Sequence, residues 1–154
     1  MAKNIIRSFV VGTLLTVGFA NAQQKPKVIL DNFFNNETKN VKGQQVKWHY
    51  LWDDTSMGGY SQLGDIFKSQ GATLATLTEA PTTENLKKAS VYIIADPDKE
   101  KETAGPNFMN EAYASAIAEW VNAGGVLVLM GNDSTNCELD KFNILSKKFG
   151  ITFN

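Results

Sequence analysis

Residues 111–130 read EAYASAIAEWVNAGGVLVLM, and this stretch decides the fold class. Its first part has apolar side chains at the spacing of one buried helical face, at Ala114, Ile117, Ala118 and Val121. Gly124-Gly125 ends the helix, since glycine readily takes the left-handed conformation that closes many helices. Residues 126–130 are apolar at every position, which is typical of a strand buried on both faces. The stretch therefore predicts a helix over 111–123 followed by a strand of a parallel sheet.

The same alternation of strand and helix extends to both sides of this stretch. Further strands are predicted at 28–30, 72–77 and 90–95, and further helices at 60–70, at 81–89 and from 134 to 149. Strands that alternate with helices of about ten residues indicate an α/β three-layer sandwich with a mostly parallel sheet. The apolar strands at Val91 and Val126 are expected at central positions of that sheet.

Two segments fall outside the regular alternation. Residues 35–45 are polar and are predicted to form a loop. Residues 151–153 are predicted to begin a further strand, either at the edge of the sheet or in a domain that is truncated at its C-terminus.

The N-terminal segment predicts export. Lys3 and Arg7 form a basic region, residues 9–20 carry no charge, and Ala20-Asn21-Ala22 fits a cleavage site. The apolar run is shorter than the roughly 20 residues that span a bilayer. We therefore expect a signal peptide at 1–22, one domain at 23–154, and a periplasmic or secreted protein that has no membrane association after cleavage.

The composition of the expected mature chain limits its partners. Loss of Lys3 and Arg7 changes the formal net charge from −1 to −3 and leaves no arginine. Arginine is the usual bidentate clamp for phosphate and carboxylate groups, so we expect no nucleic-acid partner. An anionic sugar would have to be held by lysine, backbone amides or a metal. Cys137 is the single cysteine and cannot form an internal disulfide.

The segment 48–55, WHYLWDDT, carries the most suggestive chemistry. It holds the only histidine, His49, two of the three tryptophans, Trp48 and Trp52, and the adjacent carboxylates Asp53 and Asp54. Aromatic rings stack on the apolar faces of sugars, while acids and imidazole bond hydroxyls or transfer protons. The alternative is structural, because the rings alternate at strand spacing and could be core, with the acids starting a turn.

Polar side chains also follow three of the predicted strands. They are Asp31-Asn32, Asp96-Pro97-Asp98 and Asn132-Asp133, and ligands of open α/β sheets gather at the carboxyl ends of strands. Such a rim could coordinate a hard cation such as calcium or bond sugar hydroxyls, whereas the alternative is that these are turn and cap residues. The candidate ligand-binding residues are Trp48, His49, Trp52, Asp53, Asp54, Asp96, Asp98, Asn132 and Asp133. No cofactor or metal-ligand set is assigned.

Nucleophile motifs are weak. Ser134 follows Gly131-Asn132-Asp133 and not a G-x-S-x-G elbow, and only His49 could serve as its base. Cys137 is expected to be a buried or incidental thiol, with the alternative that it lies in the first turn of the last helix, where the helix dipole would favour a thiolate. We assign no catalytic residue.

Several blocks resemble the class I glutamine-amidotransferase-like superfamily, which has a flavodoxin-like α/β fold. They are the strand at 28–30, the helix that closes at Gly71-Ala72, and residues 89–94 and 117–129. The chain resembles more closely the amidotransferase-like domain found with unsaturated rhamnogalacturonyl hydrolases (glycoside hydrolase family 105) of Bacteroides-type bacteria. The blocks 49–55, 94–98 and 129–134 carry that likeness. The resemblance implies a flavodoxin-like sandwich that serves the breakdown of pectin and related plant polysaccharides.

The chain departs from the amidotransferase pattern in two places. Met130-Gly131-Asn132 stands where that superfamily has its nucleophilic cysteine, and the chain stops before the superfamily's catalytic histidine and glutamate. We therefore expect an exported, non-catalytic accessory domain that binds an oligosaccharide or a partner glycoside hydrolase. The alternatives are a small carbohydrate-active hydrolase that uses Asp53 or Asp54 with His49, or a fragment of an unsaturated rhamnogalacturonyl hydrolase, whose own catalytic barrel is much longer than this chain.

Overall fold

A computed structural model describes residues 24–154. The predicted signal peptide at 1–22 and its cleavage site lie outside this range. Among the residues described, no helix has the length and apolar character needed to cross a membrane.

The described chain contains six strands and four α-helices. In chain order these are β1 (Lys27–Asp31), β2 (Thr38–Val41), β3 (Gln44–Lys47), α1 (Ser61–Ser69), β4 (Thr73–Leu77), α2 (Thr83–Leu86), β5 (Val91–Ala95), α3 (Glu111–Asn122), β6 (Val126–Met130) and α4 (Leu139–Ser146). A 3₁₀ turn, Lys147–Phe149, follows α4.

Four parallel strands form the main sheet, in the order β4-β1-β5-β6. Ile29 of β1 pairs with Ala75 of β4 on one side and with Tyr92 of β5 on the other. After β1 the chain forms β4 on one side of β1, and it then crosses back to form β5 on the other side of β1. The β1–β5 boundary is therefore the point where the strand order reverses, and ligands of such folds bind outside the carboxyl ends of the strands at this point.

Helices cover both faces of this sheet because successive strand residues point to opposite faces. On one face, Leu63 and Phe67 of α1 pack near Val28, Leu30 and Ile93. The other face belongs to α2, α3 and α4, whose core side chains include Leu86, Ile117 and Phe142. The predicted class is confirmed: this is a flavodoxin-like α/β sandwich with an all-parallel main sheet.

Helix α3 begins and ends as its sequence indicates. Asn110 caps its start by accepting a hydrogen bond from the Tyr113 amide, and Gly124 follows its end with φ +105°. Gly125 lies against the ring of Trp120, where a side chain would clash. Trp120 is buried and belongs to the core face of α3, although the predicted stripe did not include it.

The prediction of a loop over 35–45 was wrong from residue 38 onward. Strands β2 and β3 form an antiparallel hairpin there, with Lys42 at φ 52° and Gly43 at φ 87° in the turn. A two-residue turn with positive φ at both positions matches the twist of the strands. The hairpin is almost wholly exposed, so its sequence lacks the apolar alternation that marks a strand against a core.

Two predictions about the end of the sheet were also wrong. Strand β6 is an edge strand, not a central one, and Val126 is 55% exposed. Residues 151–154 do not pair with it as a strand. The side chain of Asn143 accepts a hydrogen bond from the Phe153 amide and donates one to the Phe153 carbonyl, and the Phe153 ring stacks on Phe142 at 5.2 Å. A side chain of α4 thus takes the place of a strand partner.

Candidate functional site

Tyr50 joins the aromatic segment to the carboxyl end of the sheet. Its hydroxyl donates a hydrogen bond of 2.9 Å to Oδ2 of Asp96, the residue that follows β5. The side-chain amide of Asn132, which lies just beyond β6, donates to the same oxygen at 3.4 Å. The structure therefore brings the ends of two predicted strands and the aromatic segment together at one carboxylate.

A small pocket opens at this junction. It has a volume of about 200 Å³ and is lined chiefly by Tyr50, Tyr60, Asp96, Met130 and Asn132. The rings of Tyr50 and Tyr60 are 5.4 Å apart and inclined by 59°. Two aromatic faces beside a carboxylate and an amide suit a ligand with a polar ring. The pocket volume is below the range of roughly 300–1,000 Å³ that is typical of sites for drug-sized ligands.

The backbone is strained around this pocket. His49, Tyr50 and Asp96 have φ values of 60°, 47° and 46°, in the left-handed region that favours glycine. Each such residue costs on the order of 1–3 kcal/mol, and strain of this kind clusters at functional sites. Two of the three residues, Tyr50 and Asp96, are joined directly by the hydrogen bond described above, so the strain is concentrated on the groups that line the pocket.

The loop after β1 and the loop after β5 are hydrogen-bonded to each other beside this pocket. The backbone amide of Asn36 donates to Asp98 Oδ2 at 2.9 Å, and the side-chain amide of Asn35 donates to the backbone carbonyl of Asp96 at 2.8 Å. Thr103 also donates to Asp98 Oδ2, at 2.7 Å. Oε2 of Glu37 lies 2.6 Å from Nδ1 of His49. We call residues 35–37 together with Asp96 and Asp98 the acidic loop pair.

Burial shifts the pKa values of these groups. It raises the pKa of Asp98, although the bonds from Thr103 and Asn36 oppose the shift. Burial also raises the pKa of Glu37, with His49 opposing the shift and Asp98 adding to it. The pKa of the Tyr50 phenol is raised by burial and by its bond to Asp96. Tyr50 is therefore a fixed proton donor and not an acid near neutral pH.

Asp31 lies below the rim, inside the core. Its Oδ1 accepts hydrogen bonds from the Phe33 and Phe34 amides, and its Oδ2 accepts one of 2.5 Å from the Tyr92 hydroxyl. Burial raises the pKa of Asp31 to about 6, although these bonds oppose the shift. Because its partners are all internal, Asp31 shapes the first loop and is not a ligand group.

Trp52 and Trp48, both predicted as sugar platforms, lie in different surroundings. The Trp52 indole donates to the Ala75 carbonyl at 2.8 Å and its ring packs against Phe67, so this residue is part of the core, as the structural alternative held. Trp48 is half-buried, with its ring 3.5 Å from that of His49 and Lys39 5.3 Å from its centre. Trp48 supports His49 and does not line the pocket.

Three predicted acids lie outside the pocket lining. Asp53 is exposed. Asp54 accepts a bond from the Ser56 amide, and Asp133 accepts bonds from the amides of Thr135 and Asn136. These backbone bonds hold the pKa of Asp54 and of Asp133 below its usual range. Asp54 and Asp133 therefore act as turn residues, which is the structural alternative for them.

Cys137 is buried just before α4, which confirms the expected buried thiol. Burial, with Asp96 nearby, raises the pKa of its thiol to about 12. Cys137 lies close to the turn that follows β6, since a Cβ placed on Gly131 would lie 3.3 Å from its sulfur. Burial outweighs any effect of the helix dipole and makes this thiol a poor nucleophile.

Sequence reasoning missed the residues that complete the site. Asn35, Asn36 and Glu37 follow β1 within a few residues, so the rule that placed Asp31-Asn32 at the rim could have found them. Tyr50 was seen only as part of the aromatic alternation, and Tyr60 only as a helix residue. No local pattern connects either tyrosine with Asp96.

Among residues 24–154, no group of three or more His, Cys, Asp or Glu side chains is arranged to hold a metal ion. No family model, no curated protein and no solved structure matches this chain at a significant level.

Proposed function

We propose that this protein is an exported, non-catalytic domain that binds a neutral sugar residue during plant-polysaccharide breakdown. The observation that carries the proposal is the pocket at the end of β5 and β6. There Tyr50, Asp96 and Asn132 converge beside the ring of Tyr60, and the backbone of Tyr50 and of Asp96 is strained. Aromatic faces and fixed polar groups are what a sugar ring requires of a site.

The charges near the pocket favour a neutral ligand. Asp96 lines the pocket, and Glu37 and Asp98 lie in the adjoining loops. The residues described contain no arginine that could clamp a carboxylate. A uronate would meet negative charge without a bidentate partner, so we expect a neutral hexose or deoxyhexose to bind more tightly than its uronic acid.

The protonation states support binding over catalysis. The Tyr50 phenol is protonated near neutral pH, Cys137 is a buried thiol, and Nδ1 of His49 lies 2.6 Å from Oε2 of Glu37. Of the two acids proposed for the alternative hydrolase, Asp54 is occupied by its own turn and Asp53 is exposed outside the pocket. The alternative of a small hydrolase therefore has less support, and release of reducing ends from an oligosaccharide would favour it.

The link to pectin breakdown and to a partner glycoside hydrolase is part of the same proposal. It is supported by the flavodoxin-like fold together with the resemblance of residues 49–55, 94–98 and 129–134 to the domain that accompanies rhamnogalacturonyl hydrolases. The chain as a fragment of such an enzyme remains the alternative, since a fragment would carry the same pocket.

Calorimetric titration of residues 23–154 with galactose, rhamnose and galacturonate tests the proposal. Tyr60→Phe and Asn132→Ala each remove one group that can bond a ligand hydroxyl. One hydrogen bond contributes about 0.5–1.5 kcal/mol, so each change should weaken binding roughly threefold to tenfold. Tyr113→Phe and Asn122→Ala are matched controls, because Tyr113 packs in the core near Phe33 and Asn122 lies at the other end of the sheet.

The controls should bind as the unmodified protein does. If Asn132→Ala and Tyr60→Phe both bound the sugar as tightly as the unmodified protein does, this pocket would be excluded as the sugar site. Tighter binding of galacturonate than of galactose would contradict the charge argument.

A further inference from the structure

The acidic loop pair contains every buried side-chain oxygen or nitrogen that lacks a hydrogen-bond partner within residues 24–154. The five atoms are Oδ1 of Asn35, Oδ1 of Asn36, Oε2 of Glu37, Oδ1 of Asp96 and Oδ1 of Asp98. Buried polar atoms nearly always have partners, and a bound water or ion commonly supplies the partner where no protein group does. Five exceptions in two adjoining loops therefore point to an occupant.

The chemistry of the five atoms narrows the occupant. All five are oxygens, and none is a donor. They belong to residues that are largely buried: Asp98 is 1% exposed, Asn35 3% and Glu37 9%. A cation approaches oxygen ligands at about 2.3–2.6 Å, which is closer than the roughly 2.7–2.8 Å of a hydrogen-bonded water. A cation can therefore satisfy oxygens that are closed off from solvent.

The local charge is also uncompensated. In the part of the chain that the structure describes, neither Asp96 nor Asp98 forms an ion pair. Glu37 Oε2 lies 2.6 Å from Nδ1 of His49, a contact that offsets the carboxylate charge only when His49 is protonated. Burying a carboxylate without a partner is costly, and a bound cation would remove that cost.

We propose that the acidic loop pair binds a calcium ion, with oxygens of Asn36, Glu37 and Asp98 as its principal ligands. The backbone bond between Asn36 and Asp98 Oδ2 holds the two loops together and leaves the other oxygen of Asp98 without a partner. The three carboxylates alone do not converge on a metal position, so amide oxygens must contribute. Calcium accepts amide oxygens in flexible, many-coordinate geometry, whereas magnesium demands a near-ideal octahedron.

The expected affinity is modest. A site with few carboxylates resembles the weaker extracellular class, whose dissociation constants are about 10⁻⁴–10⁻³ M. Calcium would hold the loops after β1 and β5 together and so fix Asp96 at the sugar pocket. Uptake of the ion needs no saccharide, so this inference and the sugar proposal can fail separately.

Calorimetry and thermal unfolding of residues 23–154 with CaCl₂ test the inference, after treatment with EDTA. A calcium concentration one hundred times the dissociation constant should raise Tm by roughly 8–10 °C for a domain of this size. An equal concentration of MgCl₂ should raise it less. No heat and no rise in Tm with calcium would overturn the inference.

Asn36→Ala is the most informative variant. It removes an unpartnered oxygen and no side-chain hydrogen bond recorded in the structure, so its Tm without calcium should match that of the unmodified protein. Its calcium affinity should fall at least threefold, and Asp98→Asn should reduce affinity at least tenfold. Asn122→Ala and Asp140→Asn, exposed residues outside the loops, are the matched controls. Undiminished calcium binding by Asn36→Ala and Asp98→Asn would place the ion elsewhere and overturn the inference.

Discussion

Replacing Tyr92 with Phe tests how the buried carboxylate beneath the rim is stabilised. Tyr92 is fully buried on β5 and donates a hydrogen bond of 2.5 Å to Oδ2 of Asp31. Phenylalanine keeps the ring and its edge-to-face contact with Trp120 at 6.3 Å, and it removes only the hydroxyl. The carboxylate then keeps the Phe33 and Phe34 amides as donors and loses its third partner.

The size of the effect depends on the charge of Asp31. A hydrogen bond to a charged group contributes about 1.5–3 kcal/mol, against about 0.5–1.5 kcal/mol between neutral groups. We expect Tyr92→Phe to reduce the free energy of unfolding by the larger amount at pH 8, where Asp31 is ionised. We expect the smaller amount at pH 4, where Asp31 is protonated in the folded protein.

The sign follows from the pKa of Asp31. Burial raises the pKa of Asp31 from 3.8 to about 6 in the folded protein. The contribution of Asp31 to the free energy of unfolding is therefore fully present below pH 3.8 and is lost as pH rises through 6. A shift of about two units corresponds to about 3 kcal/mol. The Tyr92 bond lowers this pKa, so its removal raises the pKa of Asp31 further. The variant must therefore lose more stability than the unmodified protein between pH 4 and pH 8.

Urea unfolding at pH 4, 6 and 8, followed by tryptophan fluorescence, measures the difference. Asp98 and Glu37 also have raised pKa values, but they titrate in both proteins and cancel in the comparison. Tyr113→Phe, whose ring packs in the core with no hydroxyl bond recorded, should change stability by less than about 0.5 kcal/mol at every pH. An equal loss at pH 4 and pH 8 in Tyr92→Phe would refute a charge-assisted bond to Asp31.

Two further predictions concern Cys137 and export. Because burial raises the pKa of Cys137 to about 12, the folded protein should react with a thiol reagent at pH 8 far more slowly than the unfolded protein, and it should release no ammonia from glutamine. Rapid labelling before unfolding, or glutaminase activity that is lost in Cys137→Ala, would show that this thiol is available. Mass spectrometry of periplasmic material should find an N-terminus at Gln23, whereas recovery of the uncleaved chain from the cytoplasm would refute the predicted signal peptide.

Much of the fold was predictable because its signals are local. The spacing of apolar residues in α3, the glycines that follow it and the apolar runs of β5 and β6 each depend on a few neighbouring positions. The class of the domain follows from the alternation of such elements. The exposed hairpin of β2 and β3 was missed because a strand without a core face has no apolar alternation to detect.

The site was predictable only in part. His49, Asp96, Asp98 and Asn132 were expected at the rim, and the structure places them in or beside the pocket and the acidic loop pair. Trp52 was expected there too, but its indole is used inside the core. A ring that stacks on a ligand and a ring that fills a core have the same sequence spacing, so only packing separates them.

The helices and strands of the main sheet, their order along the chain and the class of parallel α/β sandwich follow from the sequence alone, because helix and strand periods are properties of the local chain. The edge position of β6, the contact between Tyr50 and Asp96 across 46 residues, and the burial of Cys137 depend on tertiary packing. Tertiary packing also decided that Asn36 and Asp98, 62 residues apart, share one loop pair. The physical reason is that burial and long-range hydrogen bonds depend on which strands become neighbours, and strand order is set by the packing of the whole sheet.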